Sequence, residues 1–166
     1  MGRPGEALRR SYGVDPRNVH VVSNAAFLGS PSADHSDPVG TGIRIGFLSN
    51  ISVEKGFMEF FDIASRLRER GVAVEARIAG PVVPEARPIF DELIGSSPHV
   101  QYLGPLYGDS KQAFYRSLDI FVFPTRYPNE AEPLVLHEAM QSGVHSIATS
   151  RGAIVEILGG GYGSRI

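Results

Sequence analysis

From residue 43 onward, short apolar runs alternate with longer stretches whose apolar residues recur every three or four positions. Ile43–Leu48 (IRIGFL) has the length and content of a buried strand. The stretch 54–70 that follows places Phe57, Phe60, Phe61, Ala64 and Leu67 on one helical face, and Gly71 supplies its stop. The same alternation then repeats. Strands are predicted at 72–79, 100–103, Ile120–Phe123 and 145–149, and helices at 86–94, 110–118, 133–142 and 153–158. Pro124 halts the fourth strand, Pro133 suits the first position of the fourth helix, and Gly143 suits its C-terminal cap.

Strands that alternate with helices imply a parallel sheet covered on both faces, because each parallel crossover needs a covering helix. The expected fold is therefore α/β, a doubly wound, Rossmann-like sheet, in a single domain over residues 1–166 with its core at about 43–158. Such sheets bind ligands beyond the C-terminal ends of their strands. The loops after Leu48, Gly80, Leu103 and Phe123 thus become the places to search. Outside this core, residues 5–24 suggest a short helix (EALRRSYG) and a strand-like run at 19–23. Residues 28–42, rich in Ser, Pro, Gly and Asp, read as a flexible surface loop. The run GGGYG at 159–163 predicts a chain that stops just after a turn, short of a further strand and helix, as a truncated domain would.

Composition narrows the function classes. With 42% hydrophobic and 20% charged residues, the chain has the make-up of a globular domain with a real core. A net charge of −2 gives no electrostatic case for nucleic acid or membrane surfaces. The absence of cysteine removes disulfides, thiolate catalysis and thiolate metal sites. No apolar run reaches the ~20 residues of a membrane span, and the first ten residues lack a signal-peptide core, so the cytoplasm is the expected location. The five histidines are scattered without ligand spacing, no G-x-G-x-x-G follows a strand, and neither a P-loop nor a nucleophile elbow is present.

The densest chemical signal is NEAEPLVLHEAMQSG at 129–143. Glu130 precedes the fourth helix and Glu138 lies within it, eight positions later. The first turn of a helix presents N–H groups without carbonyl partners, which suits a diphosphate. Glu138, about one turn further in, is placed to accept bonds from ribose hydroxyls, and Glu130 to reach a sugar beyond the phosphates. His137 points about 100° away from Glu138 around the helix and is expected on the surface. Tyr102, Tyr107 and Tyr127 lie near strand ends as packing residues, with Tyr107 able to line the nucleotide pocket.

This segment resembles the E-x7-E motif of the retaining glycosyltransferase family 4, also called glycosyl transferases group 1. The FPT at 123–125, the EAM-x-x-G at 138–143, the loop IGFLSNISVEKG at 45–56, VQYLGP at 100–105 and TSRGAIVE at 149–156 fit in order. The resemblance implies the C-terminal, donor-binding Rossmann domain of a GT-B enzyme, a hexosyltransferase of carbohydrate biosynthesis that uses UDP- or GDP-sugars. It also implies that the acceptor site lies in an N-terminal domain or chain, so the isolated domain is expected to be inactive. By this resemblance Lys55 contacts the donor diphosphate, the N–H groups of Leu134 and Val135 meet the phosphates, Glu138 holds the ribose, and Glu130 touches the transferred sugar as the catalytic group. No cofactor or metal is implied beyond the nucleotide-sugar donor. Three positions depart from the family's pattern. Asn50 stands in the nucleotide site where the family has arginine. Pro133 stands for glycine and removes an N–H. His145-Ser146 stands for Pro-Val, which should weaken packing of the fifth strand. Two alternatives stay open: a non-catalytic nucleotide-binding module, and part of a GT-B-type UDP-sugar epimerase.

Overall fold

The computed structural model describes residues 11–18, 20, 22–28, 42–160 and 163–165. Six strands form one parallel sheet: β1 (Ile43–Leu48), β2 (Val74–Ala79), β3 (Val100–Tyr102), β4 (Ile120–Phe123), β5 (His145–Ala148) and β6 (Gly163–Arg165). Their order across the sheet is β3-β2-β1-β4-β5-β6, the doubly wound order, and the direction of winding reverses between β1 and β4. The helices between them are α1 (Phe57–Glu69), α2 (Arg87–Ser96), α3 (Gly108–Arg116), α4 (Leu134–Gln141) and the single turn α5 (Ile154–Ile157).

The aromatic residues hold the layers together. Phe47 alternates with Gly46 along β1, so the two face opposite sides of the sheet. On one side Phe47 meets Phe60 of α1, and Phe57, Phe61 and Tyr102 surround Phe90 of α2 with mostly edge-on rings. On the other, Tyr115 of α3 packs against Phe121 of β4 with centroids 5.4 Å apart. These rings are buried almost completely except Tyr102, and each such pair adds about 0.5–1.5 kcal/mol beyond the burial of its area. At the N-terminal edge of the sheet, Arg44 forks onto Asp119 at 2.8 and 3.1 Å and fixes where β4 enters beside β1.

Several boundaries differ from the sequence-based expectation. The helix predicted from residue 54 begins at Phe57; Val53–Lys55 form a separate 3-10 turn. Gly56 divides the two with φ 85°, and a Cβ there would lie 2.1 Å from the Pro124 carbonyl oxygen. The chain must turn left-handed at that point to pass β4, and a continuous helix cannot do so. β2 starts at Val74 rather than at residue 72. Pro133 is the residue before α4 and not its first helical residue. Ser142 caps the helix and Gly143 follows in the left-handed conformation, φ 73°, as expected. The turn near the C-terminal end leads into β6, which adds a sixth parallel strand to β5 where no further strand was expected. Of the strand-like run at 19–23, the described residues are not in a strand; Ser23 instead caps a 3-10 turn, Asn24–Phe27. Most of the proposed N-terminal helix and the loop at 29–41 lie outside the described residues.

Ser146 is fully buried in β5, and among the described residues its hydroxyl has no hydrogen-bond partner. An unmet buried hydroxyl costs about 1–3 kcal/mol. Ser146→Ala removes it without changing the strand. The variant is expected to unfold at a higher urea midpoint, by about 1 kcal/mol in stability, in a melt followed by circular dichroism.

Candidate functional site

A cleft of about 350 Å³ opens at the C-terminal ends of the strands, at the reversal between β1 and β4. That size falls within the roughly 300–1,000 Å³ of small-molecule pockets. One wall is the loop after β1, with Ser49, Asn50 and Lys55; another is the start of α4, with Pro133, Leu134 and Val135. Gly80 and Pro81 follow β2, and Leu106, Tyr107 and Lys111 come from the connection after β3 and from α3. The loops singled out in the sequence thus converge, because parallel strands all deliver their C-terminal ends to the same edge.

Lys55 ends the 3-10 turn that Ser52 caps, and its Nζ donates to Glu130 Oε2 at 2.7 Å. The ammonium also lies 4.9 Å from the centre of the Tyr127 ring and 5.9 Å from that of Phe123. Its charge is therefore held by a carboxylate and by the negative faces of two rings. Glu130 is only 6% exposed. The buried Thr125 hydroxyl donates to the same Glu130 oxygen at 3.1 Å, and the Glu130 carbonyl accepts from Ala153 N at 3.2 Å. The hydroxyl of Thr149 in turn donates to the Thr125 carbonyl. Glu130 is thereby fixed by three chain segments.

Glu138 stands on α4 behind the cleft wall. One of its oxygens accepts from Lys111 Nζ, and the other accepts from the Tyr115 hydroxyl at 3.0 Å. Burial, with the Glu138 charge beside it, pushes the Tyr115 phenol well above its ordinary range, so it remains a donor. A carboxylate has about four lone-pair sites, and these two bonds leave others for a ligand. Leu134 and Val135 occupy the first turn of α4, where N–H groups have no partner within the helix. Asn50 is exposed on the rim.

The structure brings Lys55 and Glu130 into direct contact and sets Asn50, Leu134 and Val135 around the same cleft; Glu138 reaches that cleft's lining through Lys111. His137 is not on the surface: its side chain is 14% exposed, with Nε2 2.9 Å from Glu132 Oε1. Glu132 also accepts from the Ser23 hydroxyl and from Asn24 N, while its carbonyl accepts from Asn24 Nδ2. Burial opposes the Glu132 charge, but the bonds from Ser23, Asn24 and His137 outweigh it and hold the carboxyl below its ordinary range. The segment before the sheet is thereby tied to the loop that carries Glu130. Sequence reasoning missed Thr125, Lys111, Tyr115 and Glu132 as site-forming residues, and took Tyr127 for simple packing. The four-residue spacing of Lys111 and Tyr115 on α3 was a visible sign that both side chains leave the same helix face. Among the described residues no cluster of His, Asp or Glu could hold a metal ion, and no helix is long and apolar enough to cross a membrane.

Comparison with solved structures returns the same architecture. HepE from Anabaena, crystallised with UDP and glucose, superimposes with a TM-score of 0.63 at 20% identity, over 75% of this chain and 34% of HepE. The C-terminal domain of LpcC, a glycosyl transferase group 1 protein from Francisella tularensis, gives a TM-score of 0.60 at 25% identity, over 80% of this chain and 72% of that domain. A glycosyltransferase from Rickettsia africae gives 0.72 at 18% identity, over 97% of this chain and 46% of its own. The chain therefore spans about a third of HepE and under half of the Rickettsia enzyme. No curated protein matches it. The family model of the glycosyl transferases group 1 matches residues 42–164, from just before β1 into β6 and so across the whole cleft; the chain belongs to that family.

Proposed function

We propose that this domain binds the nucleotide-sugar donor for a retaining glycosyl transfer from a nucleoside-diphosphate sugar to an acceptor held by a separate N-terminal domain or chain. The observation that carries the reading is the pairing of Lys55 with Glu130 across the mouth of a cleft that the first turn of α4 also faces. A diphosphate in that cleft meets the Lys55 ammonium and the N–H groups of Leu134 and Val135, cation and helix dipole acting together on the leaving group. Glu138 receives the ribose hydroxyls. Glu130 faces the transferred sugar, and Asn50 offers a neutral amide beside the phosphates. HepE, which shares the fold, was crystallised with UDP and with UDP-glucose, which supports a uridine nucleotide as the first ligand to try. Stabilisation by lysine and backbone needs no divalent ion. The proposed setting is carbohydrate biosynthesis in the cytoplasm, and the domain alone does not complete the transfer.

Neutral Asn50 on the rim and Pro133, which has no N–H to offer, favour a second reading, a nucleotide-binding module without catalysis. Titration calorimetry separates the cases. UDP or GDP is expected to bind with a dissociation constant of millimolar or tighter, equally with and without a chelator. No heat from either nucleotide would remove both readings, and loss of binding with the chelator would overturn the metal-free site. Transfer or hydrolysis of a UDP-sugar by the full-length protein, followed by mass spectrometry, distinguishes donor site from silent module.

A further inference from the structure

Lys111 has no part in the E-x7-E reading, yet among the described residues it is the second cation of the cleft. Lys55 and Lys111 both line it, from opposite sides: Lys55 follows β1, while Lys111 belongs to α3, after β3. Each is anchored on a carboxylate, Lys55 on Glu130 and Lys111 on Glu138. The Lys111 side chain is 30% exposed, so its ammonium is reachable from the cleft, whereas Glu138 stands behind it and is not part of the lining. An ammonium on a flexible four-carbon stem, partly solvated and resting on one carboxylate, can turn toward a stronger anion at little cost. A diphosphate at the start of α4 carries several negative charges, and Lys55 alone cannot balance them while Glu130 claims part of its charge.

We propose that Lys111 is a phosphate-contacting residue of the nucleotide site, which leaves its ion pair with Glu138 and turns onto the diphosphate when nucleotide enters. The inference rests on the donor-site reading and adds a ligand to it. Its movement would also free a Glu138 oxygen for the ribose, so one event prepares both contacts.

The test is a double-mutant cycle on the full chain, with UDP affinity measured by calorimetry at several salt concentrations and folding checked by thermal melting. Lys111→Gln is expected to weaken UDP binding about fivefold and to flatten its salt dependence, while Lys111→Arg retains both. The decisive arm is Lys111→Gln made on top of Glu138→Gln, where no carboxylate remains for the lysine to neutralise. A further loss of affinity there supports a contact with the nucleotide. No further loss means that Lys111 acts only by neutralising Glu138, and the inference falls. It falls equally if Lys111→Gln alone binds UDP like the parent. Failure of the parent itself to bind UDP would instead reject the donor site as a whole, a result distinct from either outcome.

Discussion

Gly152→Ala should lower stability by about 3 kcal/mol, the largest loss expected from any single methyl group added at the site. Gly152 has φ +48°, where an L side chain costs roughly 1–2 kcal/mol. Strain is only part of the cost. A Cβ at this position would lie 1.4 Å from the Glu130 carbonyl oxygen, a separation no relaxation of side chains can absorb because the obstacle is backbone. The loop holding Glu130 must move, and the bond from Ala153 N to the Glu130 carbonyl goes with it, for about another 1 kcal/mol. In a domain of this size the sum corresponds to a fall in Tm of about 6–12 °C. Gly71→Ala is the control. That glycine has φ +78° but nothing within 4 Å of the added Cβ, so only the conformational cost of about 1 kcal/mol remains. Urea melts of the two variants compare strain with collision directly. Equal losses would mean that the Glu130 loop yields freely, and that Gly152 does not hold it.

Glu138→Gln is the substitution expected to cost most in nucleotide affinity, about tenfold for UDP. A hydrogen bond to a charged acceptor contributes about 1.5–3 kcal/mol, against about 1 for a neutral one, and two ribose hydroxyls are proposed to share this carboxylate. Replacing charge by amide takes away the difference, near 1.4 kcal/mol. The fold should persist, because the amide oxygen still accepts from the Tyr115 hydroxyl and the side chain keeps its volume. Tyr115→Phe distinguishes affinity from support: it removes the donor beneath Glu138 while leaving both carboxylate oxygens able to meet a ligand, and should change UDP binding less. Calorimetry with the parent, Glu138→Gln and Tyr115→Phe reads the series. If Glu138→Gln binds UDP and GDP as tightly as the parent with an unchanged circular dichroism spectrum, Glu138 does not hold the ribose.

Both predictions turn on neighbours that are far apart along the chain, and this divides what was legible in the sequence from what was not. The alternation of apolar runs with amphipathic stretches specified a parallel α/β sheet, since the periods of strand and helix are local properties. The strand cores, the buried face of α1 and the left-handed stop at Gly143 followed from residues within a few positions of one another. The spacing of Glu130 and Glu138 and their placement around a helix start were equally local. So was the argument that the loops after the strands share one edge, which needs only the parallel direction.

Partners needed the fold. Nothing in the sequence pairs Lys55 with Glu130, 75 positions away, or Lys111 with Glu138, 27 positions away. Pattern showed that Glu138 lies on a helix, but not that Lys111 stands between it and the cleft. His137 looked exposed because helical angle says only that it differs in direction from Glu138; that Ser23 and Asn24 would dock on Glu132 beside it depends on how the preceding segment returns to the sheet. Gly56 looked like the third residue of a helix starting at residue 54 until the nearness of Pro124 forced it left-handed. Glycine at 159–163 suggested an end, whereas β6 forms because the exposed edge of β5 offers unpaired N–H and C=O groups to whatever strand arrives there. Periodicity is written into consecutive residues and survives without the fold. Collisions, ion pairs and strand edges exist only between segments that folding brings together, and so the tertiary structure alone decided them.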